Sequence, residues 1–167
     1  SLVMTAKEEG HIDPSFGIRL LREALEDIER SLSLATDVDV VRNEALLVIQ
    51  HAEELAPLVK RPRKSYEMGE REVTLGSLRE AESLFRQAKR RAQEIITWWE
   101  QAEDAIRTAE ELLNGQSGAT IDNLRQIVRD AKKQLEREAP KKAFELACVV
   151  PIQFQADGDA RERAVEV

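Results

Sequence analysis

The chain has 167 residues, of which 42% are hydrophobic and 34% are charged, with only 7 Gly and 5 Pro. This composition excludes a disordered or turn-rich chain, and the length is typical of one domain with a hydrophobic core. The net charge of −7 argues against a nucleic-acid binder judged on total charge, although it is compatible with a local basic patch.

Compartment and membrane signals are few. Cys148 is the single cysteine, so no intrachain disulfide can form. No apolar stretch approaches the roughly 18 to 20 residues of a membrane span, and the N-terminus lacks a basic segment followed by an apolar one. We therefore expect a water-soluble, cytoplasmic chain. Its first and last residues suggest a fragment of a longer protein.

The N-terminal half of the chain predicts two helices. Residues 1–12 are polar and unpatterned, which indicates a flexible arm. Asp13 and Pro14 then form a helix start, as an N-cap followed by proline at the first helical position. An apolar stripe predicts a first helix over 14–35, and a renewed stripe predicts a second over 37–60.

Local residues set the limits of this second helix and of the loop that follows it. Thr36 and Asp37 predict the break between the first two helices, and Pro57 predicts a kink or an early end of the second. Residues 61–76 hold Pro62 and two glycines among charges without an apolar period, so we expect a long loop there.

A long third helix is predicted over 77–114. Ser77 and Glu80 form a capping-box pattern, and Asn114-Gly115 is a typical C-terminal stop. Between them, apolar residues recur at alternating steps of three and four. The members of this stripe are Leu78, Ala81, Phe85, Ala88, Ala92, Ile95, Trp99, Ala102, Ile106, Ala109 and Leu113.

The last helix is predicted over 121–147, capped by Thr120. Within it, Pro140 either breaks the helix or begins a final short one. Residues 149–167 read as an extended segment or linker. Together the patterns predict an all-α, elongated antiparallel bundle of four main helices with coiled-coil-like heptad packing, occupying residues 13–148.

Catalytic and metal-binding patterns are weak. A di-iron bundle needs two Glu-x-x-His motifs, and only Glu8 to His11 matches, inside the polar arm. Nothing near Cys148 in sequence resembles an activating environment, and the glycines are too scattered for a phosphate loop. We expect no enzyme activity, no cofactor and no metal.

The charge layout suggests one binding surface. If the helices alternate in direction and the 61–76 loop lies at one end, basic residues gather at that end. The alternative is a solvated helical surface without a partner. The candidate partner-binding residues are Lys60, Arg61, Arg63, Lys64, Arg86, Lys89, Arg90, Arg91 and Trp98.

The adjacent tryptophans have two interpretations. Trp99 lies on the stripe of the third helix, and Trp98 lies about 100° around it. Both rings can fill volume between helices at mid-bundle, or Trp98 can be exposed as a binding anchor.

These patterns favour a non-catalytic helical scaffold or protein–protein interaction module. The alternative is a regulatory or nucleic-acid-associated module that binds an acidic partner, a nucleic acid or an anionic surface through the basic end. A homo-oligomer is a further option, if the longest helix overhangs its neighbours and pairs with another chain.

Overall fold

The computed structural model describes residues 13–166, with side chains through Val165. It contains five α-helices, and no strand occurs within these residues, so the predicted all-α helical bundle is confirmed. The predicted arm at residues 1–12 lies outside the described part. The helices are α1 (Pro14–Leu55), α2 (Arg61–Thr74), α3 (Leu78–Leu113), α4 (Ala119–Glu136) and α5 (Pro140–Glu166).

The long helix α3 organises the bundle. Its first half packs against α1 and α2, and its second half packs against α4 and α5. Two separate cores result: one is centred on Ile49 and Phe85, and the other on Leu124 and Val150. The fold is therefore two three-helix packings that share one helix, with successive helices antiparallel.

The predicted break at residues 36 and 37 is wrong, because α1 is continuous from Pro14 to Leu55. The Thr36 hydroxyl donates to the Leu32 carbonyl oxygen at 3.0 Å, a bond within the helix, instead of capping a new one. Asp13 caps the start as predicted, since its carboxylate accepts from the Ser15 amide at 3.1 Å. The helix ends just before Ala56 and Pro57, in agreement with the predicted early end.

The predicted 61–76 loop is also wrong, because residues 61 to 74 form α2. One face of this helix is buried although it is barely hydrophobic: it consists of Pro62, Ser65, Tyr66 and Gly69. These residues follow a helical spacing of three and four, which a count of large apolar side chains overlooks. Small size at Gly69 lets α2 approach Phe85 closely.

The bounds of α3 agree with the predicted helix to within one residue at each end. Ser77 is its N-cap residue, but its side chain makes no capping hydrogen bond, so the predicted capping box does not form. Ile96 rather than Ile95 is buried, and the two tryptophans that follow are half-buried. The regular stripe is thus interrupted where the two cores meet.

The predicted fourth helix over 121–147 is two helices. Helix α4 begins at Ala119, before the predicted cap Thr120, and ends at Glu136. Glu138 adopts a left-handed φ of 61°, which turns the chain. Pro140 then begins α5, as one of the two predicted alternatives had it.

Residues 149–166 are helical rather than extended, which corrects the predicted linker. Pro151 lacks the amide that would bond to the Ala147 carbonyl, at a cost of about 3 kcal/mol. Val150 is fully buried and Phe154 packs against the same core. Burial of these side chains offsets the cost of the proline.

Candidate interaction site

The first twenty residues of α1 extend beyond the rest of the bundle. The first α1 side chains that join a core are Leu34 and Val38, and the preceding segment is mostly exposed. We call residues 14–33 the α1 overhang. Five large apolar side chains in it are between 49% and 63% exposed: Ile18, Leu21, Leu25, Ile28 and Leu32.

These five side chains, which we call the overhang stripe, have the spacing of the narrow seam of a coiled coil. Their alternating steps of three and four place them at the a and d positions of a heptad repeat. Val38 and Val41, the first fully buried residues of α1, are one residue out of step with that repeat. One residue is about 100° around a helix. The stripe therefore faces a different direction from the core side of α1.

A groove between α1 and α3 is the second candidate surface. It has a volume of about 600 Å³ and is lined from α1 by Val41 and Glu44. From α3, four of the predicted binding residues line it: Arg86, Lys89, Arg90 and Trp98. The structure thus brings part of the predicted set together, on the side of the bundle rather than at an end.

Both tryptophans lie where the two cores meet. Trp98 is half-buried, its ring centroid is 5.6 Å from that of Phe144, and Lys141 Nζ lies 5.6 Å from the same ring. The Trp99 indole Nε1 donates to Glu103 at 3.0 Å. Neither ring is fully buried, so each combines packing between helices with a solvent-facing edge. Trp98 closes one end of the groove.

Several of the predicted basic residues already have partners inside the chain. Arg63 forms two hydrogen bonds to Glu53, at 3.2 and 2.5 Å. Arg91 donates to the Ser65 hydroxyl at 2.8 Å. On the groove side, Lys89 pairs with Glu44 at 2.8 Å, and Arg86 pairs with Glu82 at 2.7 Å. These guanidinium and ammonium groups are partly neutralised.

The remaining basic residues of the set, Lys60, Arg61 and Lys64, are exposed at the start of α2. This position is near the middle of the molecule, because the Leu58 amide donates to the Glu138 carboxylate at 2.9 Å and so joins the α1–α2 connection to the α4–α5 turn. The basic residues were expected to gather at one end because residues 61–76 were predicted to form a loop. Residues 61 to 74 form α2 instead, so that reason does not hold.

Two carboxylates in these pairs, those of Glu53 and Glu44, have pKa values below their usual range. The hydrogen bonds from Arg63 lower the pKa of Glu53, and the hydrogen bond from Lys89 lowers the pKa of Glu44. Burial raises the pKa of the Cys148 thiol. A raised thiol pKa leaves little reactive thiolate at neutral pH.

Residues 13–166 contain no group of three or more His, Cys, Asp or Glu side chains placed to hold a metal ion. The Glu8 to His11 motif lies outside this range. None of the helices found in the same range is both long enough and apolar enough to cross a membrane. In comparisons with known proteins, the chain matches no protein-family model, no curated sequence and no solved structure.

The overhang stripe was missed as a surface at the level of sequence. The spacing of its residues predicts the apolar stripe of the first helix, and an overhang of the longest predicted helix, 77–114, is only the condition for a homo-oligomer. The helix that overhangs is α1, and α3 is covered along both halves. The one signal in the sequence was the change of step between Ala35 and Val38.

Proposed function

We propose that the protein is a non-catalytic helical interaction module, which binds a helix of another polypeptide chain along the overhang stripe. The observation that carries the proposal is the set of five half-exposed Leu and Ile side chains at heptad spacing on a helix that is already formed. Such a seam is the recognition element of helix-to-helix binding. The first core, in which the rest of α1 is buried, anchors the overhang.

The apolar area of the stripe is large enough for burial to offset the cost of association. Complete burial of a Leu or Ile side chain contributes about 1.5 to 3 kcal/mol, so covering the exposed half yields about 0.8 to 1.5 kcal/mol per residue. Five such residues facing a similar stripe on a partner yield roughly 8 to 15 kcal/mol in total. Association costs about 4 to 15 kcal/mol in lost freedom. Because α1 is continuous with the folded bundle, little further ordering is required on this side.

Site-specific photo-cross-linking tests the proposal. A photoreactive amino acid at Leu25 is expected to give protein adducts, both in the purified chain at high concentration and in native-cell extract. The matched control carries the same group at Arg30, an exposed position on the opposite side of the overhang. Adducts at Leu25 that exceed those at Arg30 support the proposal. Equal yields at the two positions would rule it out.

The groove favours a second candidate function, the docking of an acidic protein segment. Arg86, Lys89 and Arg90 line the same groove as Trp98, and they outnumber its two acids, Glu44 and Glu94. The groove thus combines net positive charge with an aromatic contact. An Arg86→Ala, Arg90→Ala double variant is then expected to weaken binding of a labelled acidic helical peptide, and binding should fall as salt rises. Unchanged affinity in the double variant would exclude this use of the groove.

A further inference from the structure

The residues that flank the overhang stripe identify the orientation of a partner helix. With Ile18, Leu25 and Leu32 at a positions, the e positions on one side of the seam are Arg22 and Glu29. These are opposite charges, both exposed. Neither takes part in an ion pair among residues 13–166.

The other side of the seam carries small residues. The g positions that match these e positions are Ala24 and Ser31, neither of them charged. Small side chains there permit close approach of a second helix, but they offer no charge to recognise. The selective groups of the overhang are therefore both at e positions.

A parallel pair leaves these charges without partners. In parallel coiled coils the e positions of one helix face the g positions of the other. Arg22 would then face Gly17 of the second helix, and Glu29 would face Ala24. Two charges per helix would gain nothing from the contact.

In an antiparallel pair the charges of Arg22 and Glu29 gain partners, because the e positions of one helix then face the e positions of the other. When a two-fold axis passes between Leu25 and Ile28, each Leu25 packs against Ile28 of the other helix, and Leu21 packs against Leu32. The same arrangement sets Arg22 of each helix opposite Glu29 of the other. Two opposite-charge pairs form, related by the axis, as an isologous interface requires.

On the basis of the proposed function, we infer that the partner of the overhang is a second copy of this chain. The two copies bind antiparallel about an axis between Leu25 and Ile28. The overhang projects away from both cores, so the antiparallel arrangement places the two bundles at opposite ends of the paired helices. The dimer is then a scaffold with a bundle at each end.

A charge-swap experiment on the full chain tests this inference. Sedimentation equilibrium at low salt measures the dimer dissociation constant of wild type, Arg22→Glu, Glu29→Arg and the double variant. Each single variant replaces two attractive pairs by two repulsive ones and is expected to weaken the dimer about tenfold or more. The double variant restores the wild-type constant. An equimolar mixture of the two single variants forms heterodimers, since one chain carries only acidic e positions and the other only basic ones.

Each outcome is decisive. Restoration in the double variant and heterodimer formation in the mixture support the antiparallel pair. A wild-type dimer whose strength is unaffected by the single variants overturns it in favour of a parallel one. A wild-type chain that stays monomeric overturns self-pairing altogether. In that case, adducts from Leu25 to a different protein would still support the proposed function, so the two failures are distinguishable.

Discussion

Replacing Gly69 with alanine places a methyl group against the ring of Phe85. A Cβ atom built at Gly69 lies 2.7 Å from Phe85 Cε1 and 2.9 Å from Cδ1, well inside van der Waals contact. The ring has no exposed surface, and Tyr66 packs against it with ring centroids 5.2 Å apart. Phe85 therefore cannot move aside without disturbing its neighbours.

Two effects of opposite sign act on the free energy of unfolding. Alanine is favoured over glycine within a helix by about 1 kcal/mol, whereas overpacking a core costs about 1 to 3 kcal/mol. Because the clash is with a fully buried ring, we expect overpacking to dominate. The net loss is then up to about 2 kcal/mol, which lowers the melting temperature by up to roughly 8 °C for a chain of this size.

Thermal and urea unfolding, followed by circular dichroism, measure this loss. Gly158→Ala is the matched control, since its Cβ meets no atom within 4 Å and the change should stabilise by up to about 1 kcal/mol. Adding Phe85→Leu should cost less in the Gly69→Ala background than in the wild type. If Gly69→Ala is more stable than the wild type by as much as Gly158→Ala, the close packing of α2 on α3 is incorrect.

Two further substitutions test the Arg63–Glu53 ion pair and the packing of the second core, which contains Leu124. Arg63 lowers the pKa of Glu53, so this carboxylate contributes stability at pH values above its usual pKa of 4.5, and the contribution is lost as the pH falls through the lowered folded-state value. Glu53→Gln should make the free energy of unfolding depend less on pH on the acid side. The control, Glu54→Gln at an exposed position, should leave this pH dependence as it is in the wild type. Equal curves for the two variants would contradict the Arg63–Glu53 pairing. Leu124 is 1% exposed, and Leu124→Ala should cost about 2 to 5 kcal/mol in denaturant unfolding, more than Ile127→Ala at a half-buried position. A loss at Leu124 no greater than that at Ile127 would place it outside the core.

Regular periodicity made α3 the most predictable part of the fold. Its stripe and its terminal residues Ser77 and Asn114 define its ends to within one residue. Asp13 and Pro57 also predict the two ends of α1, because each acts on the helix end through its own backbone or side chain. Local signals of this kind can be read without knowledge of the rest of the chain.

Packing decided the elements that were predicted wrongly. The buried face of α2 is formed by Pro62, Ser65, Tyr66 and Gly69. These residues are buried because their shape fits the surface of α3 rather than because they are hydrophobic. Helix α5 continues through Pro151 because Val150 and Phe154 reach the second core. Tertiary contacts override local preference in both cases.

The overhang stripe shows a different limit. A heptad row of Leu and Ile has the same pattern whether it faces a core of its own chain or remains exposed. Only the three-dimensional arrangement reveals that Leu25 and its neighbours on the stripe are uncovered. Charge and aromatic character in the sequence single out Arg86, Lys89, Arg90 and Trp98, but they do not predict the groove that these residues line. Their separation from Lys60, Arg61 and Lys64 depends on the orientation of α2.

Sedimentation equilibrium of the wild type, Leu25→Glu and Leu47→Glu tests whether two copies of the chain associate through the overhang stripe. Both leucines are exposed on α1, at 60% and 68%, but only Leu25 belongs to the overhang stripe. We predict a mass of twice 18.9 kDa for the wild type and for Leu47→Glu at high concentration, and 18.9 kDa for Leu25→Glu. A single-chain mass for all three, or the same dimer in all three, would contradict it.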